Sequence, residues 1–122
     1  MSKKISGVIT ALVTPFDDKG SVDFKSLENL VAQQLKAGVQ GFVVNGTTAE
    51  SPTLEKSEVK DIWQLVREKS KPETTLILGT GSNSTAKTIE NTKVAIDLKA
   101  DASLVVVPYY NKPPQRGLFQ HF

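Results

Sequence analysis

Apolar residues along this chain fall into two alternating kinds of segment. Residues 7–13 (GVITALV), 41–45 (GFVVN), 75–78 (TLIL) and 103–107 (SLVVV) are short runs rich in β-branched side chains. Their length and composition predict strands. Between them the apolar positions spread to helical spacing. Phe24, Leu27, Leu30, Val31 and Leu35 follow Asp23, a suitable N-cap, and stop before Gly38, a suitable C′ residue. Val59, Ile62, Trp63 and Val66 predict a second helix opening near Thr53 or Glu55, with Trp63 as core packing. A third helix is expected over residues 85–99, and a further one after Gly117 that includes His121. Residues 17–20 (DDKG) are turn chemistry, and Pro15, Pro72 and Pro108 punctuate the pattern.

The strands begin near positions 7, 41, 75 and 103, a recurrence of about 30 residues, the size of a β-α unit. Runs that are apolar throughout, rather than alternating, suit a parallel sheet covered by helices. Two architectures remain open at this level, a doubly wound sheet and a (β/α)8 barrel. The segments after the strands are the polar ones: Thr14-Pro15-Phe16, then residues 46–51 (GTTAES), 79–83 (GTGSN) and 109–111 (YYN). Carboxyl ends of parallel strands are where α/β folds build their sites.

Composition removes several functions. With 39% hydrophobic residues and 8 glycines among 122 residues, the chain has an ordinary globular make-up. Its net charge of +2 is spread without a basic block, which argues against nucleic acid as a partner. Absence of cysteine excludes disulfides, thiolate nucleophiles and thiolate metal sites, and the single His121 excludes a multi-histidine site within the chain. The longest apolar stretch, residues 104–108, is about a quarter of the roughly 20 residues a membrane helix needs. The first 16 residues lack a signal-peptide cleavage pattern, so a cytoplasmic protein is expected, with Lys3 and Lys4 on a solvated terminus.

Residues 79–84 (GTGSNS) have Ser84 where a dinucleotide fingerprint has its third glycine, and no Lys-Ser/Thr pair follows. Nucleotide binding is therefore not expected. Thr47 and Thr48 are open to two readings: hydroxyls that grip a carboxylate and relay a proton, or caps of a turn. Tyr109 and Tyr110 are equally open between site and packing, and His121 has no visible catalytic partner.

The segments GVITALVTPF, VNGTTAESPTL, GTGSNSTAKTIE and VVVPYYNKPPQRGLFQHF, in this order and spacing, resemble the dihydrodipicolinate synthase family. The resemblance runs nearly end to end. It implies a pyruvate-dependent (β/α)8 aldolase of lysine (diaminopimelate) biosynthesis, joining pyruvate, held as a lysine imine, to aspartate semialdehyde. It implies Thr47 as a relay between two phenols, Tyr110 as one of them reaching across a dimer interface, and Thr48 as the holder of the pyruvate carboxylate. Neither metal nor organic cofactor is implied, and a homodimer or homotetramer is. Sister lyases, N-acetylneuraminate lyase and the keto-deoxy sugar acid aldolases, form the alternative; the former typically has Ser-Thr where this chain has Thr47-Thr48.

A barrel of this kind needs about 250 residues. The resemblance therefore implies that residues 1–122 are the N-terminal half of one barrel domain: four parallel strands, three helices and the start of a fourth. The imine-forming lysine, the second tyrosine and an arginine for substrate carboxylate would lie beyond Phe122. None of the 15 basic residues here sits inside a predicted strand. A non-catalytic half-barrel that pairs with itself is the rival of a different class, since its edge strands would be unpaired. In lysine-inhibited relatives an allosteric cleft uses positions matching Ser51, Asn83 and Tyr109. The neighbouring positions here are Lys56, Val59 and Lys87, with Lys87 replacing a glutamate, which predicts weak or absent inhibition by lysine.

Overall fold

The computed structural model describes residues 3–122. Its elements are β1 (Ile9–Ala11), α1 (Phe24–Lys36), β2 (Gly41–Val44), α2 (Lys56–Lys69), β3 (Thr75–Gly79), α3 (Thr85–Asp97), β4 (Ala102–Leu104) and α4 (Gln115–His121), with short 3-10 turns at Thr47–Ala49 and Ser51–Thr53. The caps explain the helix starts. Asp23 Oδ1 accepts from Ser26 N at 3.0 Å, and its other oxygen takes the Ser26 hydroxyl at 2.6 Å. The side-chain bond from Ser26, then the backbone bond, hold the Asp23 carboxyl below its ordinary range. For α2 the choice between Thr53 and Glu55 falls on Glu55, which forms a reciprocal capping box with Glu58. Thr53 instead closes the preceding turn, its hydroxyl donating to Glu50 O.

All four strands are parallel, in the order β1-β2-β3-β4. That order decides between the two architectures. Right-handed crossovers that always step to the next strand put every helix on the same face, whereas a doubly wound sheet reverses direction. Burial agrees. Phe42, Val44, Leu76 and Leu78 are buried against Leu27, Val31, Ile62, Trp63, Val66 and Ala95 of the helices. Each such side chain contributes about 1.5–3 kcal/mol by leaving water. Alternate residues form a row across the other face: Ala11 pairs with Val43, Val43 with Ile77, and Ile77 with Ala102. These are exposed or only half-buried. The sheet is thus a barrel wall with its inner surface open, and among the described residues β1 and β4 each pair on one side only.

Several boundaries differ from the sequence pattern; α3, for one, ends at Asp97 rather than 99, with Lys99 left-handed at φ 55. β1 spans three residues rather than 7–13, because β2 supplies partners only that far before Asn45 leaves the strand conformation at φ 58. β4 ends at Leu104 rather than 107. Thr80 and Gly81 both donate to Leu104 O, and the chain then crosses so close that a Cβ on Gly81 would overlap Val106. α4 opens at Gln115, before Gly117, since Pro114 supplies the first carbonyl of the helix to Leu118 N.

Lys3 also departs from its expected place on a solvated terminus. Its ammonium donates to Pro72 O and Thr74 O and pairs with Asp101 at 3.3 Å, and Asp101 in turn accepts Leu76 N. It fastens the amino ends of the strands, opposite the polar loops. Among the described residues no helix is long and apolar enough to cross a membrane.

Candidate active site

The loops after the four strands are joined in series by side-chain amides and one hydroxyl. Thr14, buried after β1, donates from Oγ1 to Ala49 O at 2.9 Å. Asn45, at the end of β2, donates from Nδ2 to Gly79 O at 2.9 Å. Gly79 has no substitute there, because a Cβ would overlap the Asn45 carbonyl. Asn83 and Asn111 then join the third loop to the fourth. This shows the carboxyl-end loops as one connected platform.

Thr47 and Thr48 sit on it in a 3-10 turn whose N-cap is Gly46. The turn is closed by backbone bonds from Ala49 N to Gly46 O and from Glu50 N to Thr47 O. Glu50 takes a left-handed conformation at φ 60. Both threonines are exposed, and neither hydroxyl has a hydrogen-bond partner among the described residues. Side-chain capping therefore does not account for them. Tyr110 is 92% exposed, at φ 68, with Asn111 N donating to Tyr109 O across it at 2.8 Å. A left-handed non-glycine residue inside such a γ-turn costs about 1–3 kcal/mol.

A cavity of about 400 Å³ opens between α2 and α3, beside the platform. It brings Ser51, Lys56 and Lys87 together with Val59, Lys60 and Glu90. Lys56 and Glu90 form an ion pair at 2.5 Å. That bond, the Lys56 charge and then the Lys87 charge hold the Glu90 carboxyl below its ordinary range. Glu90 is thus already paired with Lys56. Asn83 and Tyr109 are not part of the cavity lining; Asn83 bonds Asn111 and Tyr109 is half-exposed at the fourth loop.

Sequence reasoning missed the residues that hold the platform together, namely Asn45, Thr88, Asn91, Thr92 and Asn111. Thr88 Oγ1 accepts Ser82 N at 3.0 Å. Asn91 donates to Thr80 O, and the Thr92 hydroxyl meets that of fully buried Thr80. The signal was a helix, α3, with polar residues at 88, 91 and 92 on the side that faces its own incoming loop. His121 ties α4 to the start of α3 through the Thr85 hydroxyl at 2.8 Å, a structural contact. Among the described residues no three His, Asp or Glu side chains gather where a metal could be held.

Compared with known proteins, residues 4–122 match the Dihydrodipicolinate synthetase family. The chain belongs to that family. It is 57% identical over 120 residues to 4-hydroxy-tetrahydrodipicolinate synthase of Bdellovibrio bacteriovorus, covering 98% of this chain and 41% of the relative. Among solved structures, chloride-inhibited dihydrodipicolinate synthase from Acinetobacter baumannii complexed with pyruvate superposes with a TM-score of 0.91 at 47% identity, over 97% of this chain and 40% of that one. The enzyme from Cyanidioschyzon merolae with lysine bound gives 0.87 at 46% identity, over 95% and 40%. This family member therefore spans about two-fifths of the length of its relatives, and its four strands are a half-barrel.

Proposed function

We propose that residues 1–122 are the N-terminal half of a single barrel domain, and that the whole barrel is a 4-hydroxy-tetrahydrodipicolinate synthase. It joins pyruvate, held as a lysine imine, to aspartate semialdehyde in the cytoplasm, as a homodimer or homotetramer. The observation that carries this reading is the pair of exposed hydroxyls, Thr47 and Thr48, without hydrogen-bond partners among the described residues, on the carboxyl-end platform of a family member. Thr48 holds the pyruvate carboxylate. Thr47 passes protons between Tyr110, from a neighbouring subunit, and a phenol supplied by the rest of the barrel. Imine formation, enamine formation and aldol addition each move a proton, so a hydroxyl relay suits all three steps. The test is turnover by the complete enzyme with pyruvate and a panel of aldehydes. Aspartate semialdehyde is expected to be the preferred partner; preference for a sugar aldehyde would assign the chain to the sister lyases instead.

The cavity beside the platform is read as the counterpart of the cleft that serves lysine inhibition in relatives: Ser51, Lys56 and Lys87 line it, and Asn83 and Tyr109 stand on the third and fourth loops. The Cyanidioschyzon merolae relative has lysine bound. Here an incoming ammonium would meet Lys56, Lys60 and Lys87, with Glu90 already paired. Like charges about 4 Å apart repel by about 1 kcal/mol in bulk water and by more at a protein surface. The complete enzyme is expected to keep its rate in millimolar lysine, measured by initial velocities. Inhibition at micromolar lysine would show that the lysines do not govern the cleft.

A further inference from the structure

Tyr110 presents a problem of restraint. Its ring is almost wholly in solvent, its backbone is left-handed, and Lys112 two residues on is left-handed as well, at φ 47. A residue in this conformation persists only where its surroundings over-determine it. The turn's own bond, Asn111 N to Tyr109 O, is local and shields nothing. Among the described residues, the hydrogen bonds that tie this segment to the rest of the fold are made by the Asn111 side chain. Its Nδ2 donates to Asn83 O at 2.9 Å, and its Oδ1 accepts from Asn83 Nδ2 at 3.3 Å. Two antiparallel bonds between the same two residues fix both distance and rotation. A single bond would leave the turn free to pivot.

Asn83 is itself held from behind. Ser84, the next residue, caps α3, and its N–H donates to Ser82 Oγ at 3.2 Å. The N–H of Ser82 is anchored on Thr88 Oγ1, one turn inside α3. The third loop is therefore fastened to a helix, and the amide pair hands that rigidity to the fourth loop. We infer that the Asn83–Asn111 pair is the positioning device of Tyr110, holding its strained turn so that the phenol is presented at a set place to the neighbouring subunit's site. The inference rests on the reading of Tyr110 as a proton-relay phenol. Asn111 touches no reacting atom; it acts through Tyr110.

A double-mutant cycle in the complete enzyme tests it, using Tyr110→Phe, Asn111→Ala and the two combined. Asn111→Ala is expected to lower kcat about tenfold or more, the scale of a misplaced catalytic group. The KM for pyruvate should stay near its original value, because Thr48 lies on another loop. With Tyr110→Phe already present, Asn111→Ala should cost almost nothing further. Asn111→Asp, nearly isosteric but without the donor to Asn83 O, should reproduce the loss, and it serves if the alanine variant does not fold. An unimpaired Asn111→Ala beside an impaired Tyr110→Phe would overturn the inference alone. A loss that adds in full to that of Tyr110→Phe would overturn it too, since Asn111 would then act elsewhere. Full activity of Tyr110→Phe would remove the relay role of Tyr110 and the inference with it.

Discussion

Treated with pyruvate and then with borohydride, the 122-residue chain is expected to keep its mass of 13.3 kDa. A reduced pyruvate adduct requires a lysine that is neutral often enough to attack the keto carbon. Proteins obtain one by burying the amine or crowding it with other cations at the site. No lysine of this chain lies in β1, β2, β3 or β4. Lys56, Lys60 and Lys69 are on α2, Lys87 and Lys93 on α3, and Lys3 works at the opposite end of the strands. Ion-paired Lys69 is pushed the wrong way. A hydrogen bond to Glu28, then its charge, holds the Lys69 ammonium above its ordinary range, which makes the neutral amine scarcer. Intact mass spectrometry of the chain and of the complete enzyme separates the cases. The complete enzyme should carry the adduct, on a residue after Phe122. An adduct within the 122 residues would mean that a surface lysine does the chemistry, and the proposed division of labour between the two halves would be wrong.

What the sequence made legible follows from which forces act locally. Helices α1 and α2 were visible because apolar spacing is written within a few residues, with Asp23 marking the start of α1; the caps that the structure shows are equally local, Asp23 with Ser26, Glu55 with Glu58 and Ser84 with Lys87. Strand identity was legible for the same reason, but strand ends were not. β1 and β4 stop where a neighbouring strand stops offering partners, and that depends on residues about 30 positions away. Local pattern left the choice between barrel and doubly wound sheet open; the family resemblance implied the barrel, and the strand order bears that out. At the site, Thr47, Thr48 and Tyr110 were marked by their places after strands. The amides that connect the loops were not, since Asn45 to Gly79 and Asn83 to Asn111 span 34 and 28 residues. Asn111 shows the limit well. It stands in the motif beside the two tyrosines, and nothing in its immediate neighbours announces that it reaches the preceding loop.

Replacing Thr47 by valine in the complete enzyme should lower kcat about a hundredfold, at the lower end of what a positioned proton-transfer group contributes. The substitution exchanges a hydroxyl for a methyl of nearly the same shape. Thr47 is exposed, its hydroxyl has no partner among the described residues, and its turn is closed by backbone bonds. Stability should therefore change by no more than about 0.5 kcal/mol, the usual range for surface positions. A fall in rate then reports the lost relay and not a damaged platform. Thr47→Ser, which keeps the hydroxyl, should retain most of the rate. Thr48→Val is the informative contrast. Losing a hydrogen bond to a charged carboxylate costs about 1.5–3 kcal/mol, so this variant should raise the KM for pyruvate tenfold or more. Its kcat should fall less than that of Thr47→Val. Steady-state kinetics on the three variants distinguishes a relay from a binding group. If Thr47→Val kept full kcat, the hydroxyl would be a turn ornament, and the proton path would have to run through the phenols without it.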